Sequence, residues 1–203
     1  MMDWVDRRSF IVGLGAIAAA PSAMAQEADK AETGSVEWSL GRADAPVTVI
    51  QYASITCHHC QDFHLKTWPA VKARYVDTGK VRFVVRPFPL DKLAMAGFML
   101  ASCAKDGAWY RIVDQLYQRG ESWAHEPNAG DALKAEAQRL GFSAAEFEAC
   151  LADQGKYDAL LATSRGDAIR GVSATPTFFI NGTKKVGAPT IEQFAALVDP
   201  LVK

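Results

Sequence analysis

The stretch "SITCHHCQDFH", residues 54–64, gathers side chains able to do chemistry. Cys57 and Cys60 enclose His58 and His59, and His64 follows four residues after Cys60. Thiols and imidazoles at such spacing serve covalent haem attachment, metal ligation, a structural disulfide or a redox disulfide. Haem is excluded, because its attachment needs C-x-x-C-H and Gln61 follows Cys60. Zinc would need Cys57, Cys60, His64 and a fourth ligand from His58, His59 or His125 to close a tetrahedron. Compartment and surroundings weigh on the choice among the remaining three.

The N-terminus speaks to the compartment. Arg7 and Arg8 precede the apolar run Phe10–Ala20, and Ala23-Met24-Ala25 supplies an A-x-A cleavage pattern. Residues 1–25 therefore read as a secretory signal peptide, with an apolar core well short of the ~20 residues of a membrane-spanning helix. "RRSF" resembles a twin-arginine signal but lacks the flanking Ser/Thr and Lys of a full match, so twin-arginine and general secretory export both stay open. Residues 26–35 are polar and read as a flexible leader. A net charge of −1 with no basic stripe implies neither nucleic acid nor an anionic membrane surface as partner. All 4 cysteines follow the expected cleavage site, and an even count in an oxidising compartment favours disulfides over free thiols or zinc.

The elements that must position the motif follow from patterning. "VTVIQYASI", Val47–Ile55, is rich in β-branched and aromatic residues and predicts a buried strand running into Cys57. A helix is expected from about His58 to Thr78, kinked at Pro69 and closed by Gly79, and "VRFVVRPF" predicts a second strand. Together they make a βαβ unit with the cysteine pair at the start of its helix. From Asp91 to about Arg170 the pattern is helical, with a capping box at Ser143 and Glu146. "TPTFFING" then predicts a strand, Asn181-Gly182 a hairpin turn, "KKVG" a return strand and "TIEQFAALVDPLV" a last helix. The fold class is α/β, with a helical block between a βαβ half and a ββα half.

That placement has a chemical rationale. A cysteine at a helix N-terminus faces free N–H groups and the positive end of the dipole, which favour its thiolate. Cys57 holds that position. Cys60 lies one turn in, close enough to form a disulfide and buried enough to keep its proton. His58 and His59 are candidates to support the Cys57 thiolate.

A strand, "CHHC", a Pro-kinked helix, a helical insertion and "TPTFFING" together resemble the DsbA family of thioredoxin-fold oxidoreductases. The resemblance covers about residues 36–203, with the insertion at about 90–170, so that segment is expected to be a thioredoxin-like domain. It implies that Cys57 is the exposed nucleophile and Cys60 the resolving cysteine. It implies a cis Pro176 facing them, with the Thr175 backbone pairing with substrate peptide. Two positions bear on the family pattern. Gln51 stands where the strand usually holds a buried acid that relays protons, and Thr175 before the cis-proline is more typical of isomerases. For Cys103 and Cys150, which related proteins often carry in "ASCA" and "FEACL" contexts, a structural disulfide is expected. Closing about 48 residues would contribute roughly 4 kcal/mol in the chain-entropy picture.

The expected function is a periplasmic thiol–disulfide oxidoreductase that introduces disulfides into exported proteins. Disulfide isomerase or reductase is the alternative, and a metal or peptide carrier the non-enzymatic one. No cofactor or metal is implied. Cysteine-bearing exported proteins and a membrane redox partner that resets the cysteines are the implied partners, and a monomer is expected. His64 is expected to pack or bond locally and His125 to be solvated. Trp109, Tyr110 and Trp123 are read as core or groove lining. Phe88, Phe98 and Met99 belong either to the core or to a peptide-binding face.

Overall fold

The sheet grows outward from β2, Val47–Ala53, which is buried on both faces. Val49 and Ala53 join the main core on one side, while Ile50 and Tyr52 meet Val84 and Val172 on the other. A strand covered on both faces shows a continuous apolar run rather than alternation, as this one does. The computed structural model describes residues 38–169 and 171–202, so the expected signal peptide and leader lie outside the described residues.

β3, Val81–Pro87, runs parallel to β2, with Val49 opposite Phe83 and Gln51 opposite Val85. β1, Trp38–Leu40, adds antiparallel to β3 at one edge. β4, Thr177–Ile180, pairs antiparallel with β2, and β5, Thr183–Val186, with β4. The order is β1-β3-β2-β4-β5. Asn181 and Gly182 turn the last hairpin at φ of 43° and 83°, the paired left-handed conformation that an Asn-Gly step accepts.

The crossover from β2 to β3 is helical in four pieces. α1, His58–Asp62, gives way to a π-helical turn at Phe63–Thr67; α2, Trp68–Val71, gives way to another at Lys72–Val76. Pro69 lacks an N–H, and its ring would crowd the carbonyl four residues back, that of Leu65. Leu65 lies in the first widened turn, so the helix passes the proline without ending. Gly79 closes the segment at φ 74°. Phe63 lies 4.8 Å from Phe178, and Trp68 lies 4.5 Å from Phe83, ring to ring, which seats α1 and α2 on the sheet.

Five helices form the insertion: α3 (Lys92–Ser102), α4 (Trp109–Gln118), α5 (Ala129–Arg139), α6 (Ala144–Leu151) and α7 (Gln154–Ile169). α8, Ile191–Val198, ends the fold. The Ser143–Glu146 capping box opens α6, and Thr190 and Gln193 form a second one at α8. Trp109, Trp123, Phe98 and Met99 are buried core, and Phe88 is half-buried. Tyr110 ties the insertion to the sheet, donating to the Trp38 carbonyl at 2.9 Å and accepting from the Val85 N–H at 3.2 Å. Cys103, at the end of α3, is disulfide-bonded to Cys150 in α6, with Cα atoms 6.1 Å apart.

Candidate active site

Cys57 is the N-cap of α1, its backbone still extended at φ −81° and ψ 118°. Strand β2 therefore ends in a short turn, closed by the Cys57 N–H on the Ser54 carbonyl at 3.2 Å, and delivers the sulfur to the first open turn of the helix. Cys57 is half-buried and Cys60 wholly so; both are free thiols. The Thr175–Pro176 peptide bond is cis, and the Thr175 carbonyl accepts from Cys57 Sγ at 3.3 Å. That bond exists only while Cys57 keeps its proton.

The two sulfurs are driven apart in acidity. The hydrogen bond from Cys60 does most to lower the pKa of Cys57; partial burial opposes it, and the Thr175 side chain, as distinct from its carbonyl, and the backbone of Cys60 and His59 add to it. The result is about 5. Burial pushes Cys60 well above the ordinary thiol range, and the neighbouring Cys57 pushes it further. One low and one high thiol in contact separate the roles of nucleophile and resolving group.

The side chains around them fall into two groups. His58 and His59 are exposed, and His58 Nε2 lies 3.3 Å from Asp62 Oδ2. His64 instead turns inward, with Nε2 2.7 Å from Asp114 Oδ1 on α4 and its ring stacked on Tyr117 at 4.7 Å. Among the described residues no three His, Cys, Asp or Glu side chains come together as a metal site. His125 is exposed. Gln51 is buried on the same sheet face as Val49 and Ala53, the face that Cys60 packs against. Thr56, beside the motif, donates to Asp91 Oδ2 at 2.7 Å, while Asp91 Oδ1 caps α3. The first helix of the insertion is thus tied to the residue preceding Cys57.

Sequence reasoning missed Tyr117, Asp114 and Ser54. Tyr117 is buried on α4, and its hydroxyl donates to the Ser54 carbonyl at 3.1 Å. Burial and both active-site cysteines hold its pKa well above the usual phenol value. Nothing in "QLYQRG" marks that tyrosine, because its meeting with the cysteines depends on how the insertion docks.

A CxxC on a helix N-cap, at the end of a parallel βαβ unit and opposite a cis-proline that opens a ββα unit, defines a thioredoxin-fold dithiol protein. The chain belongs to the thioredoxin family, whose model matches residues 33–200, and within it to the DsbA type. Over 148 residues it is 31% identical to a Rickettsia typhi protein provisionally named protein-disulfide oxidoreductase, covering 71% of this chain and 54% of that one. The chain spans 54–64% of the length of its rickettsial relatives from R. typhi, R. felis and R. bellii. The crystal structure of Wolbachia pipientis alpha-DsbA1 superposes with a TM-score of 0.75 at 28% identity, covering 82% of this chain and 90% of that one. Oxidised BdbD from Bacillus subtilis shares the fold, with a TM-score of 0.71 at 17% identity over 81% of this chain and 91% of that one. No helix among the described residues is long and apolar enough to cross a membrane.

Proposed function

We propose that this chain introduces disulfides into exported proteins through a Cys57–Cys60 redox disulfide. The observation that carries the reading is the free, half-buried Cys57 thiol at the helix N-cap, beside the cis Thr175–Pro176 bond, with the free Cys60 thiol fully buried one turn into the same helix. The low pKa of Cys57 and the high one of Cys60 agree with it. In the oxidising direction a substrate thiolate attacks Cys57 Sγ, the Cys57–Cys60 bond breaks, and its electron pair leaves on Cys60, which takes up a proton. A second substrate thiolate then attacks the substrate sulfur of the mixed disulfide and expels Cys57. The substrate is oxidised by two electrons and the protein reduced by two. A thiolate as stable as that of Cys57 is a good leaving group, and stabilising it favours the reduced protein, which makes the disulfide an oxidant.

The Thr175 backbone borders the sulfur and would hold an extended substrate segment beside it, with Pro176 shaping that wall. His58 and His59 would flank the approach, where their exposure suits contact with substrate. Residues 1–25 would direct export to the periplasm, residues 26–35 would serve as a leader, and the domain would act from residue 36 as a monomer. A membrane redox partner would restore the disulfide. Cys103–Cys150 would be structural.

Assays on model substrates separate the directions. The oxidised protein is expected to convert reduced, unfolded ribonuclease to the disulfide form stoichiometrically, while a Cys57→Ser protein is inert. Rapid insulin reduction together with reactivation of scrambled ribonuclease would instead establish the isomerase or reductase alternative, which the Thr175–Pro176 pair favours.

A further inference from the structure

In either direction of exchange the Cys60 sulfur must carry charge. It leaves as a thiolate when Cys57 is attacked, and it must become one before it can resolve a mixed disulfide. Cys60 is 0% exposed, so that charge forms where solvent cannot stabilise it. A donor built into the protein would do so, and the face of β2 beneath the motif offers the uncharged amide of Gln51.

Tyr117 stands in the right place. Its O–H donates to the Ser54 carbonyl at 3.1 Å, the same carbonyl that accepts from the Cys57 N–H, which sets the phenol under the turn carrying both cysteines. Burial, and beyond it the two neighbouring cysteines, hold the Tyr117 pKa well above the usual phenol range, so its O–H stays protonated and available as a donor. One stacked ring and one backbone hydrogen bond, each supported from behind, hold Tyr117. His64 stacks on it at 4.7 Å, and Asp114 holds His64 through Nε2 at 2.7 Å. Gln61 Nε2 donates to the Tyr117 carbonyl at 3.0 Å, and Gly120 makes room for Gln61, since a Cβ there would meet Nε2 at 2.4 Å.

We propose that Tyr117 is a positioning residue for Cys60, whose O–H turns from the Ser54 carbonyl to the Cys60 sulfur whenever that sulfur is a thiolate. Resting on the exchange reading above, this gives the resolving step a full balance. The Cys60 thiolate attacks Cys57 Sγ, the bond from Cys57 to the substrate sulfur breaks, and the electron pair leaves on the substrate. The proton given up by Cys60 ends on that departing thiolate. Tyr117 keeps its own proton throughout and acts as a hydrogen-bond donor, not as a base.

The test follows the lifetime of a glutathione adduct on Cys57 after mixing reduced protein with oxidised glutathione, by acid quench and intact mass at a series of pH values. Tyr117→Phe keeps the ring and removes the donor. It is expected to lengthen the adduct lifetime by about tenfold or more at neutral pH, the effect of losing one hydrogen bond to a charged group. The rise of the resolving rate with pH should shift to higher pH, while the rate and pH midpoint of Cys57 alkylation stay unchanged. Packing damage alone would not move the first and spare the second. Incorporating 3-fluorotyrosine at position 117 makes the O–H more acidic and should shorten the lifetime, which decides the matter if the phenylalanine protein does not fold. An unchanged lifetime in a folded Tyr117→Phe protein, or in the fluorotyrosine protein, overturns the proposal. A parent protein that never closes Cys57–Cys60 would overturn the exchange reading itself, a distinct result.

Discussion

In a Cys60→Ser protein the Cys57 thiol is expected to titrate near pH 5, several units below an ordinary cysteine. Serine is the right replacement, because its hydroxyl can still donate to Cys57 as the Cys60 thiol does. Thiolate absorbance near 240 nm and the rate of iodoacetamide alkylation should show the same midpoint, with alkylation already near its plateau at pH 7. A linked effect on stability follows for the reduced protein. A depressed folded-state pKa contributes stability that is complete above the unfolded value, about 9, and is lost as pH falls through about 5. Between pH 7 and pH 5 the reduced protein should therefore lose up to about 2–3 kcal/mol, less whatever solvent screening removes at this half-buried sulfur. The oxidised protein has no Cys57 thiolate and should lack this slope. A midpoint near pH 8–9 would mean that the helix terminus, Thr175 and the donor at position 60 do not activate this thiol.

Replacing both Cys103 and Cys150 by alanine is expected to cost stability and leave the active-site chemistry nearly intact. The bridge spans a sequence separation of 47 and joins the end of α3 to α6. Cross-linking a loop of that size removes unfolded-chain entropy worth about 4 kcal/mol as an upper figure. For a chain of this size that corresponds to a melting temperature lower by roughly 10 °C. The Cys57 midpoint should not move, because its partners lie on α1 and the Thr175 segment. Equal melting temperatures for the two proteins would show that the bridge contributes nothing; a shifted Cys57 midpoint would show that the insertion is coupled to the thiol.

The contrast between these two regions explains what was legible in the chain. Val47–Ala53 announces itself as a buried strand because both its faces are covered, and a CxxC directly after it must start the next helix. Asn181-Gly182 and the Ser143–Glu146 capping box carry their geometry in two to four residues, so reading them needs no tertiary information. β1 escaped notice for the opposite reason: three residues hold no period, and Trp38–Leu40 is a strand because β3 offers it an edge. Pro69 predicts a kink, but only packing decides that the π-helical turn before α2 absorbs it. At the site, Cys57 and Cys60 were visible by spacing, whereas Tyr117 and Asp114 arrive from α4, more than fifty residues along the chain from Cys60. Long-range docking of that kind leaves no local signature.

In the proposed reaction Cys57 and Cys60 form a reversible disulfide poised to oxidise other thiols. Equilibrating the protein in graded glutathione buffers at pH 7, and counting reduced Cys57–Cys60 by alkylation and mass, measures this directly. A nucleophilic thiol near pH 5 instead of the thioredoxin value of about 7 stabilises the reduced form enough to raise the potential by about 50 mV. The expected result is thus a single two-electron transition at about −220 mV or at a less negative potential. A transition at or below about −270 mV, or no disulfide between Cys57 and Cys60 in any buffer, would contradict it.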